Sequence, residues 1–150
     1  MAVHSAKLAN MREHSQAPGN ENGVDVSSPI GDIREATALM AKSGCDVLIS
    51  IGGGSPIDSA KAIAYNIHQE TGKWIPSIAV PTTLSVAETT QNAGFTTEEK
   101  HKIAVSNPEL VPKAVVYDGE IALHTPLNLW TSTGVRLSQS LRLSAILIRL

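Results

Sequence analysis

Short apolar runs alternate with amphipathic segments through the middle of the chain. The pattern predicts a helix over about Asp32–Lys42, ended by Gly44, and then a strand over Asp46–Ile51. The apolar run of this strand is almost continuous, so we expect it to be buried on both faces. The same reasoning predicts four further elements: a helix over Pro56–Ile67, a strand over Ile78–Val80 ending at Pro81, a strand over Ala114–Tyr117 closed by Asp118, and a helix over Pro126–Ser132. This order indicates an α/β domain with a parallel sheet and flanking helices.

The two ends of the chain differ from this middle region. Residues 1–28 are polar and contain a stretch of turn-forming residues, Ser15–Gly23, which is typical of a flexible segment. Residues 136–150 consist mostly of Arg, Leu and Ser. The sequence therefore divides into a flexible N-terminal segment (1–28), an α/β domain (29–135) and a tail of different composition (136–150).

Composition excludes several classes of protein. Of 150 residues, 42% are hydrophobic and 17% are charged, which suits a packed core. The formal net charge of −2 gives no electrostatic footprint for nucleic acid. The apolar runs are shorter than the roughly 20 residues that a bilayer helix needs, and we recognise no secretory signal near Met1. A single cysteine, Cys45, cannot form an internal disulfide, so we expect a cytoplasmic protein. From the charge and the short apolar runs we expect it to bind neither nucleic acid nor membrane.

A glycine-rich loop lies between the first predicted strand and the second predicted helix. Glycine tolerates positive φ and lets the backbone approach a ligand closely. We expect Ser55 to be the N-cap of the helix and Pro56 its first residue, with Asp58 three positions after the cap. The free N–H groups at such a helix start attract a pyrophosphate. A tight turn without a ligand is the alternative, since the spacing matches neither G-x-G-x-x-G nor a P-loop.

Four ordered segments carry a resemblance to a known family. The run Gly52–Lys61, Gly-Gly-Gly-Ser-x-x-Asp-x-Ala-Lys, resembles the cofactor signature of iron-containing alcohol dehydrogenases, a group that includes maleylacetate reductases and glycerol dehydrogenases. Val80–Glu88 is similar to the family's Pro-Thr-Thr segment. Two further matches follow in Lys102–Asp118 and Thr125–Gly134, so the resemblance covers roughly residues 29–135.

The resemblance implies a Rossmann-like domain that binds NAD or NADP. The residues that it assigns to the cofactor are Gly52, Gly53, Gly54, Ser55, Pro56, Thr82, Thr83, Lys102 and Leu129. Simpler explanations exist for some of them. Thr82 and Thr83 could form a turn after Pro81, Lys102 could be a solvated surface lysine, and Leu129 could be an ordinary core leucine. Capping and an exposed helix face explain Asp58 and Lys61 equally well. The implied activity is NAD(P)-dependent, metal-assisted oxidation of an alcohol or reduction of a carbonyl compound. A homo-oligomer stays open as a partner.

The sequence departs from the family where the metal is bound. Family members place an Asp and a His, which ligate Fe²⁺ or Zn²⁺, at the positions of Arg136 and Ser140, and neither residue here is a suitable ligand. The five histidines show no metal-like spacing, and we expect the chain to lack the family's all-helical C-terminal domain. We therefore expect no metal ligands and no catalytic residues, and a catalytically inactive fragment. The alternative is a non-catalytic nucleotide-binding or interaction module.

Overall fold

The computed structural model describes residues 30–147, with side chains described through residue 135 and at 137 and 138. The chain forms four helices and five strands over these residues. The helices are α1 (Ile30–Ser43), α2 (Gly54–Thr71), α3 (Gly119–Ala122) and α4 (Leu127–Leu147); the strands are β1 (Leu48–Gly52), β2 (Ser77–Pro81), β3 (Asn92–Thr96), β4 (Lys102–Ser106) and β5 (Ala114–Val115).

A three-stranded parallel sheet has the order β1-β2-β5. The register places Gly52, the last residue of β1, opposite Pro81, the last residue of β2. Because all three strands run the same way, the segments that follow them leave the sheet at one edge. The predicted α/β architecture with a parallel sheet is confirmed, and so is the end of α1 at Gly44, whose positive φ of 63° suits a glycine after a helix.

Helix α2 is the central element of the fold. It contacts β1, β2 and β3 as well as α1. Its residues 60–64 are all buried, so the helix is covered around its whole circumference. The largest apolar cluster forms between α1, α2 and β3 and comprises Ile33, Ala62, Ile63, Ile67 and Phe95.

The prediction that the first strand is buried on both faces is wrong. Side chains on one face of β1 are exposed, 59% for Ile49 and 57% for Ile51, whereas Ser50 on the other face is 6% exposed. Helix α2 packs on the face that carries Ser50 and Ala79. Within the described residues the opposite face of β1 is uncovered, so a continuous apolar run predicts a strand here but not its burial on both faces.

An antiparallel hairpin, β3–β4, was not predicted. Its side chains alternate, with Ala93 and Phe95 buried while Asn92 and Gly94 are exposed. The buried residues lie on the side of the strand that contacts α2. This alternation is the available signal in the sequence, but the strand has only five residues and contains a glycine, which weakens the pattern.

Helix α4 continues well beyond the predicted end at Ser132. Its backbone remains helical to Leu147, so the composition boundary at residue 136 is not a break in secondary structure. Arg, Leu and Ser are all tolerated in helices, which explains the continuity. None of the helices in the described part, α4 included, combines the length and apolar character that a membrane crossing requires. The predicted flexible segment 1–28 lies outside the described residues, and the three-part domain division stays a prediction.

A matched pair of substitutions tests where the core lies. Ile63→Ala removes a side chain that is 5% exposed and belongs to the main apolar cluster, so we expect a loss of about 2–5 kcal/mol in the free energy of unfolding. Ile49→Ala truncates the same residue type at an exposed position and is expected to cost less than about 1 kcal/mol. Urea unfolding followed by circular dichroism measures both. Equal losses would show that the open face of β1 is buried in solution.

Candidate functional site

The loop after β1 requires glycine at its first position. Gly52 has a φ of +141°, and a Cβ atom there would lie 2.9 Å from Cγ of Pro56. Both the backbone conformation and the contact therefore exclude a larger residue. The Gly52 carbonyl oxygen accepts a hydrogen bond of 2.8 Å from the backbone N–H of Thr82, which joins the loops that follow β1 and β2.

Helix α2 begins without a side-chain cap. Its N-cap is Gly53, in an extended conformation, and a glycine provides no side-chain cap. The prediction that Ser55 is the N-cap is wrong, because the helix already begins at Gly54 and Ser55 lies within it. Pro56 is accommodated in the first turn, where a backbone N–H has no partner within the helix. The helix therefore begins on glycine, without the side-chain cap expected of Ser55.

The loop after β2 packs closely on this uncapped helix start. A Cβ atom on Gly53 would lie 3.2 Å from Oγ1 of Thr83, and one on Gly54 would lie 3.1 Å from Oγ of Ser85. Both hydroxyl oxygens are buried and have no hydrogen-bond partner among the described residues. We call Gly53, Gly54, Thr83 and Ser85 the cradle. Hydroxyl and backbone N–H donors around a helix N-terminus form a site that fits an anion such as phosphate.

Hydrogen bonds also connect the loop after β2 to the start of α4 and to the residues before it. The Thr125 hydroxyl donates to the Thr82 carbonyl oxygen at 2.8 Å, and the backbone N–H of Leu84 donates to Oγ1 of Thr133 at 3.2 Å. The Trp130 indole N–H donates to the Ala122 carbonyl oxygen at 3.1 Å, which fixes α4 to α3. These bonds connect the loop after β2 to segments more than 40 residues away in sequence.

A cavity of about 450 Å³ lies beside the loop after β2. Its lining comes from the ends of β2 and β5 and from α3 and α4, and comprises Pro81, Thr82, Thr83, Leu84, Val86, Glu88, Thr89, Tyr117, Asp118, Gly119, Ala122, Trp130 and Leu137. The volume lies within the range of small-molecule sites. Parallel sheets bind ligands at this edge, outside the carboxyl ends of their strands.

Glu88 is the buried carboxylate of this cavity. Only 4% of the residue is exposed, and its Oε1 accepts a hydrogen bond of 3.2 Å from the Tyr117 hydroxyl. Its Oε2 is buried with no hydrogen-bond partner among the described residues. Partial desolvation, followed by the nearby Glu88 carboxylate, raises the pKa of the Tyr117 phenol. The phenol therefore keeps its proton at neutral pH and remains a donor to Glu88.

Asp58 and Lys61 lie on the inner side of α2. Lys61 is 1% exposed, so the exposed helix face that was one explanation of this residue is wrong. Burial lowers the pKa of Lys61, and the carboxylates of Asp58 and Glu88 oppose this effect. Burial also raises the pKa of Asp58, against the opposing effects of Lys61 and of the Gly94 backbone N–H, which donates to Oδ2 at 3.4 Å.

The structure brings together some of the residues assigned to the cofactor and not others. Gly52–Gly54 meet Thr82 and Thr83 at one edge of the sheet, and Ser55 and Pro56 open α2 beside them. Lys102 is an exposed residue at the start of β4, and Leu129, 43% exposed, lies in the first turn of α4; neither lines the cavity. Sequence reasoning assigned no role to Ser85, Glu88, Tyr117 or Trp130, although the first three lie just after parallel strands, where ligand contacts concentrate.

Comparison with known proteins identifies the family. The sequence profile of the family described as iron-containing alcohol dehydrogenase matches residues 5–119. The chain belongs to the iron-containing alcohol dehydrogenase family. It is 34% identical, over 69% of its length, to 4-hydroxybutyrate dehydrogenase of Cupriavidus necator. It also matches the crystal structure of maleylacetate reductase from a Rhizobium species, with 31% identity and a TM-score of 0.64 over 74% of its length.

The chain spans about a third of the length of these family members. It covers 31% of the Cupriavidus dehydrogenase and 30% of the Rhizobium structure. The fold predicted from the sequence agrees with this family, since its solved members share the parallel sheet and flanking helices of this chain.

The name of the family implies a metal ion. Over residues 30–147, no three His, Cys, Asp or Glu side chains come together in an arrangement that could hold one. The described residues therefore provide no set of three such ligands.

The raised pKa of Asp58 predicts a pH-dependent stability. The pKa lies above 3.8 in the folded chain, which therefore binds the proton at a higher pH than the unfolded chain does. Protonation removes the partly buried charge of Asp58. The contribution of Asp58 to the free energy of unfolding therefore increases as the pH falls from about 7, through the pKa of the folded chain, to the lower pKa of the unfolded chain. Asp58→Asn lacks this contribution, so the stability of the unmodified chain relative to the variant should increase from about pH 7 to about pH 4.

Urea unfolding at both pH values measures the difference. The variant Glu70→Gln, at an exposed position of the same helix, controls for the removal of one negative charge without burial. A relative stability of the Asp58 variant that is constant with pH, or that moves the other way, would contradict the prediction.

Proposed function

We propose that this chain is the nucleotide-binding part of an NAD(P)-dependent alcohol dehydrogenase. The observation that carries the proposal is the uncapped, glycine-lined start of α2 facing two buried hydroxyl groups without partners among the described residues. An anionic group placed there receives backbone N–H donors and the positive end of the helix dipole. The family, whose members include the 4-hydroxybutyrate dehydrogenase described above, supports a dinucleotide as the source of that anion.

The residues proposed to hold the pyrophosphate are those of the glycine loop and the loop after β2. Gly53 and Gly54 allow close approach because their missing Cβ atoms leave no bulk between the backbone and Thr83 or Ser85. Thr82 is fixed by bonds to the Gly52 carbonyl and from the Thr125 hydroxyl, so its neighbour Thr83 needs little reorganisation to bind a ligand. The predicted roles of Ser55, Pro56, Lys102 and Leu129 remain part of this proposal.

The cavity beside Glu88 suits the rest of the ligand. When bound, the nicotinamide ring supplies the hydride chemistry. The residues of this chain contribute an apolar wall from Leu84, Val86 and Trp130, which excludes water. The Glu88 carboxylate, held by Tyr117, supplies an acceptor for N–H or O–H groups of the ligand. The substrate proposed for the complete enzyme is a small alcohol or carbonyl compound.

A non-catalytic module is the second candidate. It predicts the same nucleotide binding but no turnover by the chain alone. The exposed Ile49 and Ile51 on the open face of the sheet favour an interaction role within this candidate, because adjacent exposed apolar residues on a strand are available for contact. Turnover therefore separates the two candidates, while nucleotide binding tests what they share.

Nucleotide binding should stabilise the purified 150-residue chain against heat. We expect one cooperative transition that moves upward with NADH or NADPH. Saturation at about 100 times the dissociation constant adds roughly 2.7 kcal/mol to the free energy of unfolding. Adenosine serves as a control because it lacks the pyrophosphate. A cooperative melt that neither dinucleotide changes would contradict the proposal.

Gly53→Ala should weaken binding without unfolding the chain. The new Cβ would lie 3.1 Å from Cγ2 of Thr83, so the cradle has to open or its hydroxyl has to turn. We expect the dissociation constant for NADH to rise by about tenfold, a change of about 1.4 kcal/mol, measured by calorimetry. Gly31→Ala is the matched control, because a Cβ there meets nothing within 4 Å. Equal affinities of the two variants would show that the cradle does not hold the ligand.

The 150-residue chain alone is expected not to oxidise alcohols. Within the described residues no ligand set for Fe²⁺ or Zn²⁺ is present, so added metal should give no chelator-sensitive rate. Absorbance of NADH at 340 nm, with NAD, a short-chain alcohol and either metal, measures the reaction. Turnover that a chelator abolishes would overturn this expectation and favour a complete active site.

A further inference from the structure

Lys61 has an unusual environment for a lysine. Its side chain has no exposed surface, and its ammonium group donates to the carbonyl oxygens of Ala87, Thr90 and Asn92, the last two at 2.7 and 3.0 Å. A lysine ammonium has three donors, so three carbonyl groups satisfy it completely. All three acceptors belong to one short segment, residues 87–92, which connects the loop after β2 to β3.

The residue before this segment has a strained backbone. Val86 has φ 55° and ψ 17°, the left-handed conformation. A β-branched side chain is disfavoured there, because its Cβ substituents crowd the backbone. Such a residue persists only where surrounding interactions impose the conformation. The turn bond from the Thr89 backbone N–H to the Val86 carbonyl, 3.1 Å long, follows from this conformation.

The strained residue lies between two residues of the candidate site. On its N-terminal side, Ser85 packs against Gly54 in the cradle. On its C-terminal side, after Ala87, Glu88 meets Tyr117 at the cavity. The conformation of Val86 therefore sets the direction of the chain between these two contacts. The Thr89 hydroxyl donates to the Val86 carbonyl oxygen at 2.9 Å, and the three bonds from Lys61, which begin at Ala87 immediately after the strained residue, tie this turn to α2.

We propose that Lys61 is a positioning residue for the nucleotide site: its buried ammonium group holds Val86 in the left-handed conformation and thereby keeps Ser85 and Glu88 in place. The part of this proposal that concerns nucleotide binding rests on the proposed function. The part that concerns the turn does not, because the coupling between Lys61 and Val86 exists with or without a ligand. A lysine that only stabilised α2 would show no such coupling.

A double-mutant cycle in the 150-residue chain tests the coupling. The variants are Lys61→Met, which keeps an unbranched apolar stem but removes the ammonium group and its donors, Val86→Gly, which removes the strain, and the two combined. Val86→Ala is the matched control, since alanine shortens the side chain but keeps the Cβ atom that disfavours positive φ. Hydrogen exchange of the Thr89 and Thr90 amides reports on the turn, because both donate within it.

We expect Lys61→Met to speed exchange of these two amides at least about tenfold more than it speeds exchange of α2 amides such as Ile67. Adding Val86→Gly should restore most of the protection, and adding Val86→Ala should not. Equal acceleration in the turn and in α2, or additive effects of the two substitutions, would overturn the proposal. If Lys61→Met alone gives no cooperative melt, recovery of the melt by Val86→Gly but not by Val86→Ala supports the coupling, and recovery by neither contradicts it.

The same variants measured with NADH separate the two proposals. The dissociation constant should rise about tenfold in Lys61→Met and fall back when Val86→Gly is added. Coupled exchange with unchanged affinity in Lys61→Met would show that the turn is held by Lys61 but does not position the site. If the unmodified chain does not bind NADH at all, the proposed function fails, while the exchange data still decide the coupling.

Discussion

A buried ammonium group must have all its N–H donors satisfied, and the structure depends on how this chain meets that requirement. An unpaired charge in the interior costs several kcal/mol, so Lys61 can occupy the middle of α2 only with acceptors around it. The chain supplies carbonyl groups from the segment after β2 rather than a close carboxylate, since Asp58 Oδ1 lies 3.9 Å away. The hydrogen bonds of one nitrogen atom, Lys61 Nζ, therefore connect helix α2 with the turn after Val86 and with the start of β3.

The glycine loop imposes the opposite condition on the other end of this helix. There the backbone N–H groups stay without side-chain caps, and small residues bring two loops into contact. The polar group at Lys61 thus has its partners within the chain, whereas the start of the helix has no side-chain cap. An anionic ligand would accept hydrogen bonds at the start of the helix, just as the carbonyl oxygens accept them from the Lys61 ammonium group. The candidate site at the start of α2 and the core around its middle are consequently parts of one helix.

Most of the architecture could be predicted from the order of apolar runs and turns. The strands that carry the site and the helix after the glycines all appear near their predicted positions, because runs such as Val47–Ile51 have few alternatives to a strand. The first residue of α2 was missed because Ser55 is the usual capping type, whereas close packing against Thr83 favours glycine at that point. The site residues that depend on tertiary contact, Ser85 and Glu88 among them, could not be assigned from the pattern. Lys61 also required the structure, since a lysine on an amphipathic helix is usually solvated.

The bonds of Lys61 also constrain the order in which the fold can form. Helix α1, β1, α2 and β2 follow one another in sequence and contact one another, so they can assemble through short loops. The acceptor on Asn92 lies 31 residues after Lys61. Until that residue is in place, the ammonium group lacks one of its carbonyl acceptors, and burial of its charge is less favourable. Burial of Lys61 and placement of Glu88 therefore both depend on one segment, residues 87–92, which follows the elements it packs against in the chain.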